Sequence, residues 1–140
     1  MSDRYFLDTN IFVYTFDERY ERKMAIAKEL IRNSLDNRTA AISYQVIQEF
    51  YNAMFKRFPA AQTSQDCELF LVNVFEPMLA VESSLALFNQ ALAVHHRYKL
   101  SWYDSLIVAA ALKAECTTLY TEDLQHGQHF GDLVITNPFL

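Results

Sequence analysis

Four acidic residues stand where carboxylates could act together: Asp8, Glu49, Asp104 and Asp123. Asp8 ends the apolar run Tyr5-Phe6-Leu7 and is followed at once by Thr9-Asn10. Asp123 follows Thr118-Leu119-Tyr120-Thr121, Asp104 opens an apolar helical stretch from Leu106 to Leu112, and Glu49 lies two turns into a helical pattern. Packed carboxylates repel, and the pKa of at least one rises unless something positive is present. A hard divalent cation resolves the conflict, because Mg2+ or Mn2+ takes oxygen ligands, is held by a few carboxylates and keeps several waters. Those waters can supply an attacking hydroxide while the metal stabilises charge developing on a phosphoryl oxygen. The chemistry expected of such a set is metal-assisted hydrolysis of a phosphodiester.

Each acid also has a purely local explanation. Asp8 or Asn10 could serve only as the N-cap of the following helix, and Asp104 could complete a Ser-x-x-Asp capping box with Ser101. Glu49 could sit on a solvated helix face, and Asp123 could form a turn before Gly127. Taken singly these explanations are the better ones. Together they weaken, because none predicts an acid at every place where the topology would make a cleft.

The elements that must position the acids alternate between strand and helix signals. After a strand at 5–7 and a short helix beginning at Ile11, an apolar stripe of Ala25, Ile26, Leu30, Ile31 and Leu35 marks a helix from Arg19 to Leu35. Thr39 to Ile42 reads as a strand. Ser43 is placed as the N-cap of a helix carrying Val46, Ile47, Phe50, Tyr51 and Met54. A helix opened by Thr63 or Ser64 is expected to stop at Glu76-Pro77, since the residue before a proline is pushed out of the helical region. Met78 to Val81 is a weak strand signal, and Ser83 or Ser84 caps a helix that ends in His95-His96-Arg97-Tyr98-Lys99. The helix led by Asp104 comes next, then strands at 118–121 and 133–136. Such alternation implies one α/β domain over 1–140, with a largely parallel sheet covered on both faces. Parallel strands would bring all four acids toward one edge of that sheet.

Composition sets the outer limits. At 140 residues and 51% hydrophobic, the chain suits one domain with room for a core. Its formal charge of −5 excludes a uniformly basic face for nucleic acid, so contact with phosphate must use a local patch or bound cations. Cys67 and Cys116 have no metal-type spacing around them. No signal-like segment stands before the first strand, so reduced thiols in a cytoplasmic protein are expected. No apolar run approaches the roughly 18 residues needed to cross a bilayer, so no membrane is expected. The 19 Phe and Tyr residues are many for this length, enough to fill a core and leave some at a partner surface.

Leu7-Asp8-Thr9-Asn10, Glu49 in a helix after a short strand, Ser101-Trp102-Tyr103-Asp104 with its apolar helix, and Thr121-Glu122-Asp123 with the closing Asn137-Pro138-Phe139 together resemble a PIN domain over nearly the whole chain. Within that family the pattern is similar to the VapC-type ribonuclease toxins of toxin–antitoxin pairs. The resemblance implies a parallel sheet of about five strands, a Mg2+ or Mn2+ site, and endonucleolytic cleavage of structured RNA such as transfer or ribosomal RNA. It also implies a homodimer and an antitoxin that lays a segment into the acidic cleft. Asp8, Glu49 and Asp104 match the family's three most regular acids. For the fourth, Asp123 fits the Thr-x-Asp pattern better than its neighbour Glu122.

Supporting roles follow from neighbourhood. Asn10 and Thr9 could orient Asp8 or bond a metal-held water, Thr121 could hold Asp123, and Ser101 could bond a carboxylate or simply cap its helix. Lys56, seven residues beyond Glu49 on the same helical face, and neighbouring Arg57 could meet phosphate, as could Arg97 and Lys99 beside His95 and His96. Ordinary solvation of Lys56, and attraction of the second cluster to a helix C-terminus, are the plainer explanations. His126 and His129 lack a third nitrogen or sulfur ligand for a soft metal. Two other functions compete with the hydrolase. Phosphotransfer on Asp8 needs a second acid two residues on, where Asn10 stands, or a late lysine that is missing. A PIN-like module that only binds RNA or protein would not need all four acids.

Overall fold

The computed structural model describes residues 3–59 and 63–140. Strands β1 (Tyr5–Leu7), β2 (Ala40–Ser43), β3 (Leu79–Val81), β4 (Thr118–Tyr120), β5 (His129–Phe130) and β6 (Leu133–Thr136) form one sheet in the order β3-β2-β1-β4-β6-β5. All neighbours are parallel except β5, which runs antiparallel to β6 at the edge. The sheet therefore has six strands where about five were expected. The extra strand is two residues long, too short to carry any alternation a sequence could reveal.

From β1 the chain builds outward to β2 and β3, then returns to place β4 on the other side of β1. That reversal makes a crevice beyond the carboxyl ends of β1 and β4, where ligands gather in open α/β sheets. Phe6 and Leu7, Ala41 and Ile42, Leu119 and Ile135 are wholly buried, as expected for strands covered on both faces. Helix α7 (Trp102–Lys113) is buried continuously from Ser105 to Ala111, which explains why it shows no polar stripe.

Around the sheet lie α1 (Thr9–Tyr14), α2 (Glu21–Asn37), α3 (Tyr44–Arg57), α4 (Ser64–Phe70), α5 (Glu76–Met78) and α6 (Leu85–Tyr98). Helix α2 begins two residues later than the apolar stripe implied, leaving Arg19 in the turn before it. Pro77 does not stop the helix that precedes it. A π-helical segment at Leu71–Phe75 absorbs the mismatch, and Pro77 falls in the first turn of α5, where its missing N–H breaks no helical bond. Ser43 stands at the N-cap of α3 as expected, yet its hydroxyl makes no capping bond. Thr63 and Ser84 do cap, Thr63 in a reciprocal box with Asp66.

Aromatic packing fastens α1 to α3. Phe12 of α1 and Phe50 of α3 both meet Phe75 at 5.0 Å, and Phe50 stacks on Phe70 at 5.0 Å. Because Phe50 is the residue after Glu49, this cluster fixes the acid's position relative to the end of β1.

Candidate active site

Asp8 leaves the end of β1 and caps α1, accepting the Thr9 backbone N–H at 2.7 Å and the Thr121 hydroxyl at 2.8 Å. It is a cap and is also buried, with only 5% of its surface exposed. Burial is the main force that raises its carboxyl to about 7 from 3.8; the two hydrogen bonds oppose the shift, and nearby Asp123 and Glu49 add to it. No cation offsets that cost among the described residues.

Glu49 and Asp123 approach Asp8 from α3 and from beyond β4, and Asp104 on α7 comes near enough to act on the Asp123 carboxyl. Glu49 on α3 accepts the Thr9 hydroxyl at 2.7 Å and the Gln45 amide at 3.3 Å. Asp123, beyond β4, accepts the Asn10 amide at 3.1 Å. Its carboxyl is raised, first by desolvation against the cleft wall and then by Asp104, Glu122 and Glu49, while Asn10 opposes the shift. Asp104 lies in the first turn of α7. Ser101 accepts its backbone N–H at 3.2 Å, but the reciprocal bond of a capping box is not made, so the Asp104 carboxylate has no hydrogen-bond partner among the described residues.

The hydroxyl and amide groups are distributed differently from the sequence expectation. Thr9 uses its side chain on Glu49 rather than on Asp8. Asn10 serves Asp123 and, at 3.2 Å, Thr121. Thr121 donates to Asp8 and accepts the backbone N–H of Asp123 at 3.0 Å, so one hydroxyl ties two acids together. Glu122 is otherwise engaged, accepting from Lys23 at 2.9 Å and from the Tyr14 hydroxyl. The Asn10 carbonyl oxygen is buried and meets no donor among the described residues.

A cleft of about 570 Å³ opens beside this cluster, with Thr9, Asn10, Glu49 and Asp123 in its wall. Of the bases expected to meet phosphate, only Arg57 lines it; Lys56, Arg97 and Lys99 do not. His95, beside the latter two, bonds the Leu100 carbonyl at 2.6 Å, as befits a helix C-terminus. Arg19, Tyr14, Tyr20 and Asn52 also face the cleft, and no motif singles them out as site residues. Arg19 and Tyr20 lie in the turn after α1, which has no periodicity, while Tyr14 on α1 and Asn52 on α3 occupy ordinary helical positions.

The family model for the PIN domain matches residues 5–128. The chain belongs to the PIN domain family. Solved structures of the same fold include VapBC2 from Rickettsia felis bound to a promoter DNA fragment, at a TM-score of 0.67 and 21% identity, covering 95% of this chain and 97% of that one. A toxin–antitoxin complex from Klebsiella pneumoniae has a TM-score of 0.64 and 19% identity, with 95% and 96% covered. VapC20 of Mycobacterium tuberculosis, a toxin that cleaves the sarcin–ricin loop, has a TM-score of 0.61 and 17% identity, with 85% and 89% covered. No curated protein matches the sequence.

Proposed function

We propose that this PIN domain is a divalent-metal-dependent endoribonuclease that hydrolyses phosphodiester bonds of structured RNA, and that it is the toxin of a type II toxin–antitoxin pair. The observation that carries the reading is a buried Asp8 raised to about 7 beside Asp123 and Glu49, with only neutral donors among the described residues. A carboxylate held at this cost marks a functional-site candidate, and a cation would offset the cost.

The donor set fits a hard divalent ion. It is all oxygen, and the buried Asn10 carbonyl oxygen still has room for a donor such as a water hydrogen. Among the described residues no three His, Cys, Asp or Glu side chains stand close enough to hold an ion as they are, so the acids would draw inward on binding. Asp8, Asp104 and Asp123, with Glu49, would hold it. Bound there, Mg2+ or Mn2+ would supply positive charge against the phosphoryl oxygens and make a water easier to deprotonate. The chain's own groups do the rest. Thr121 fixes Asp8 and the backbone of Asp123, Thr9 aims Glu49, and Asn10 aims Asp123, so Asp8 is held in place while Glu49 and Asp123 line the cleft before substrate arrives. Ser101 acts on Asp104 only through the helix cap.

A partner protein is supported by neighbours of the same fold that are toxin–antitoxin complexes. It is also supported by Phe55, Leu69 and Val72, which leave 56%, 50% and 55% of their surfaces exposed on α3, α4 and the π segment. The same proposal includes a homodimer, measurable by light scattering, and a cytoplasmic place for a chain in which no described helix can cross a membrane. Titration calorimetry with Mn2+ at neutral pH, and cleavage of transfer and ribosomal RNA with Mn2+, test the core of the reading. Mn2+ binding and EDTA-sensitive cleavage are expected, both lost in Asp104→Asn; cleavage undiminished by EDTA would refute it.

A further inference from the structure

Beyond the acids, the cleft has a second end of opposite character. Helices α1 and α3 lie side by side: Thr9 meets Glu49 at one point, and Asp17, in the turn after α1, lies in the field of Arg57, eight residues past Glu49 on α3. Eight helical residues rise roughly 12 Å at ~1.5 Å each. The cleft wall thus passes from carboxylates to guanidinium groups over the length of a short piece of nucleic-acid strand.

The basic end is built rather than incidental. Asp17 accepts Arg19 Nε at 2.8 Å and Nη2 at 2.8 Å, and the Arg19 backbone N–H at 3.3 Å. The Asp17 side chain is 3% exposed whereas that of Arg19 is 66% exposed. A buried carboxylate therefore grips one edge of a guanidinium and leaves its other N–H groups facing the cleft. A bidentate grip of this kind removes the freedom that usually makes a surface arginine a weak binder. Arg57 lines the same cleft and has no such bond among the described residues. Tyr20 lies beside them, 47% exposed, with the Arg19 guanidinium 5.5 Å and the Lys23 ammonium 5.6 Å from its ring centre and its ring perpendicular to that of Tyr14 at 5.8 Å. With Asp17 counted, the local charge is positive, in a chain whose total is −5.

We propose that Arg19 and Arg57, with Asp17 as the residue that positions Arg19 and Tyr20 as a stacking face, form a phosphate-and-base subsite for an unpaired nucleotide flanking the bond that is cut. The inference rests on the ribonuclease reading above and adds what it lacks, a place where substrate is gripped without the acids. Fixed guanidinium groups take phosphate, and an exposed ring beside them takes a base of any sequence. An acidic protein segment would satisfy the arginines but leave Tyr20 without a planar partner, so RNA is favoured.

The test measures binding of a fluorescent single-stranded RNA oligonucleotide in Ca2+, which fills oxygen sites without the strict octahedral geometry of Mg2+. Arg19→Ala and Arg57→Ala should each weaken binding about tenfold and flatten the salt dependence by about one unit of slope. Arg19→Lys should keep the slope but lose most of the affinity, because it keeps the charge and loses the fork. Tyr20→Leu should lose the preference for a normal oligonucleotide over an abasic one. Lys99→Ala, outside the cleft, should change nothing. Wild-type affinity and slope in both arginine variants, no RNA binding by the wild type, or displacement of RNA by polyglutamate as readily as by polyuridylate would each overturn the subsite. RNA held through the arginines yet left uncut with Mn2+ would overturn the hydrolase reading alone.

Discussion

Asp8 caps the start of α1 and Asp17, the same residue type, stands in the turn beyond its end; both are buried, at 5% and 2% exposure. Their electrostatics are opposite. Asp8 has only a hydroxyl and an amide N–H as donors, and burial raises it to about 7. Asp17 holds the Arg19 guanidinium, which pulls its carboxyl below the ordinary 3.8 despite burial. Burial alone therefore does not mark a functional carboxylate; burial without a positive partner does. Asp17 already has its cation within the chain, and Asp8 is built to accept one from outside.

Exchanging each for asparagine separates the two roles most widely. Asp8→Asn should reduce RNA cleavage by at least about a thousandfold while leaving the fold and the RNA affinity in place, since asparagine caps a helix as well as aspartate does. Asp17→Asn should leave kcat near wild type, raise KM about tenfold by freeing Arg19, and lower the melting midpoint by a few degrees. Equal losses of kcat in the two variants would erase the distinction.

A similar contrast separates the adjacent acids Glu122 and Asp123. Glu122 is spent on Lys23 and Tyr14, whereas Asp123 is held by Asn10 at the cleft. Asp123→Asn should cost roughly a hundredfold in kcat, and Glu122→Gln only a small factor. The reverse order would make Glu122 the fourth acid. Thr9→Val, Asn10→Ala and Thr121→Val should each cost about 10–100-fold. Thr121→Val should be the worst of the three because its hydroxyl serves two acids. Thr9→Val should add little to Glu49→Gln, because the two share one hydrogen bond.

What could be read in advance divides along the same line. Asp8, Asp104 and Asp123 are visible because each stands at a strand end or helix start, and Glu49 because it lies in the helix that follows a short strand; parallel topology carries such places to one edge. Thr9 does meet Asp8, through its backbone N–H, and Thr121 does hold the backbone of Asp123, but the side-chain bonds of Thr9, Asn10 and Thr121 go to Glu49, Asp123 and Asp8 respectively. Pairs such as Asn10 with Asp123 or Thr121 with Asp8 lie 113 residues apart, and their pairing depends on rotamers that no spacing encodes. Arg19 was hidden for another reason. It was counted into the helix behind it, when the turn formed around Asp17 holds it outside. Pro77 misled because a π-helical turn, which has no sequence signature as plain as a proline, shifted the register before it.

The smallest effect is also the most direct probe of the asymmetry between the two aspartates. Folded Asp8 keeps its proton up to about 7, while the unfolded chain releases it near 3.8. Between these values the folded state binds more protons, so stability must fall as pH rises from about 4 to 7 and then level off. Asp123 is shifted in the same direction and adds to the slope. Asp17 is shifted the other way, so its contribution is present above 3.8 and lost as pH falls below it. Urea unfolding of the metal-free protein should therefore give a declining limb between pH 4 and 7. Asp8→Asn should remove most of that decline, ending more stable than wild type at pH 8 by up to a few kcal/mol. Mn2+ should restore the wild type at pH 8 far more than at pH 5, where protons compete for the same oxygens. A wild type and an Asp8→Asn variant with superimposable stability profiles would mean that Asp8 is as comfortable in the fold as Asp17.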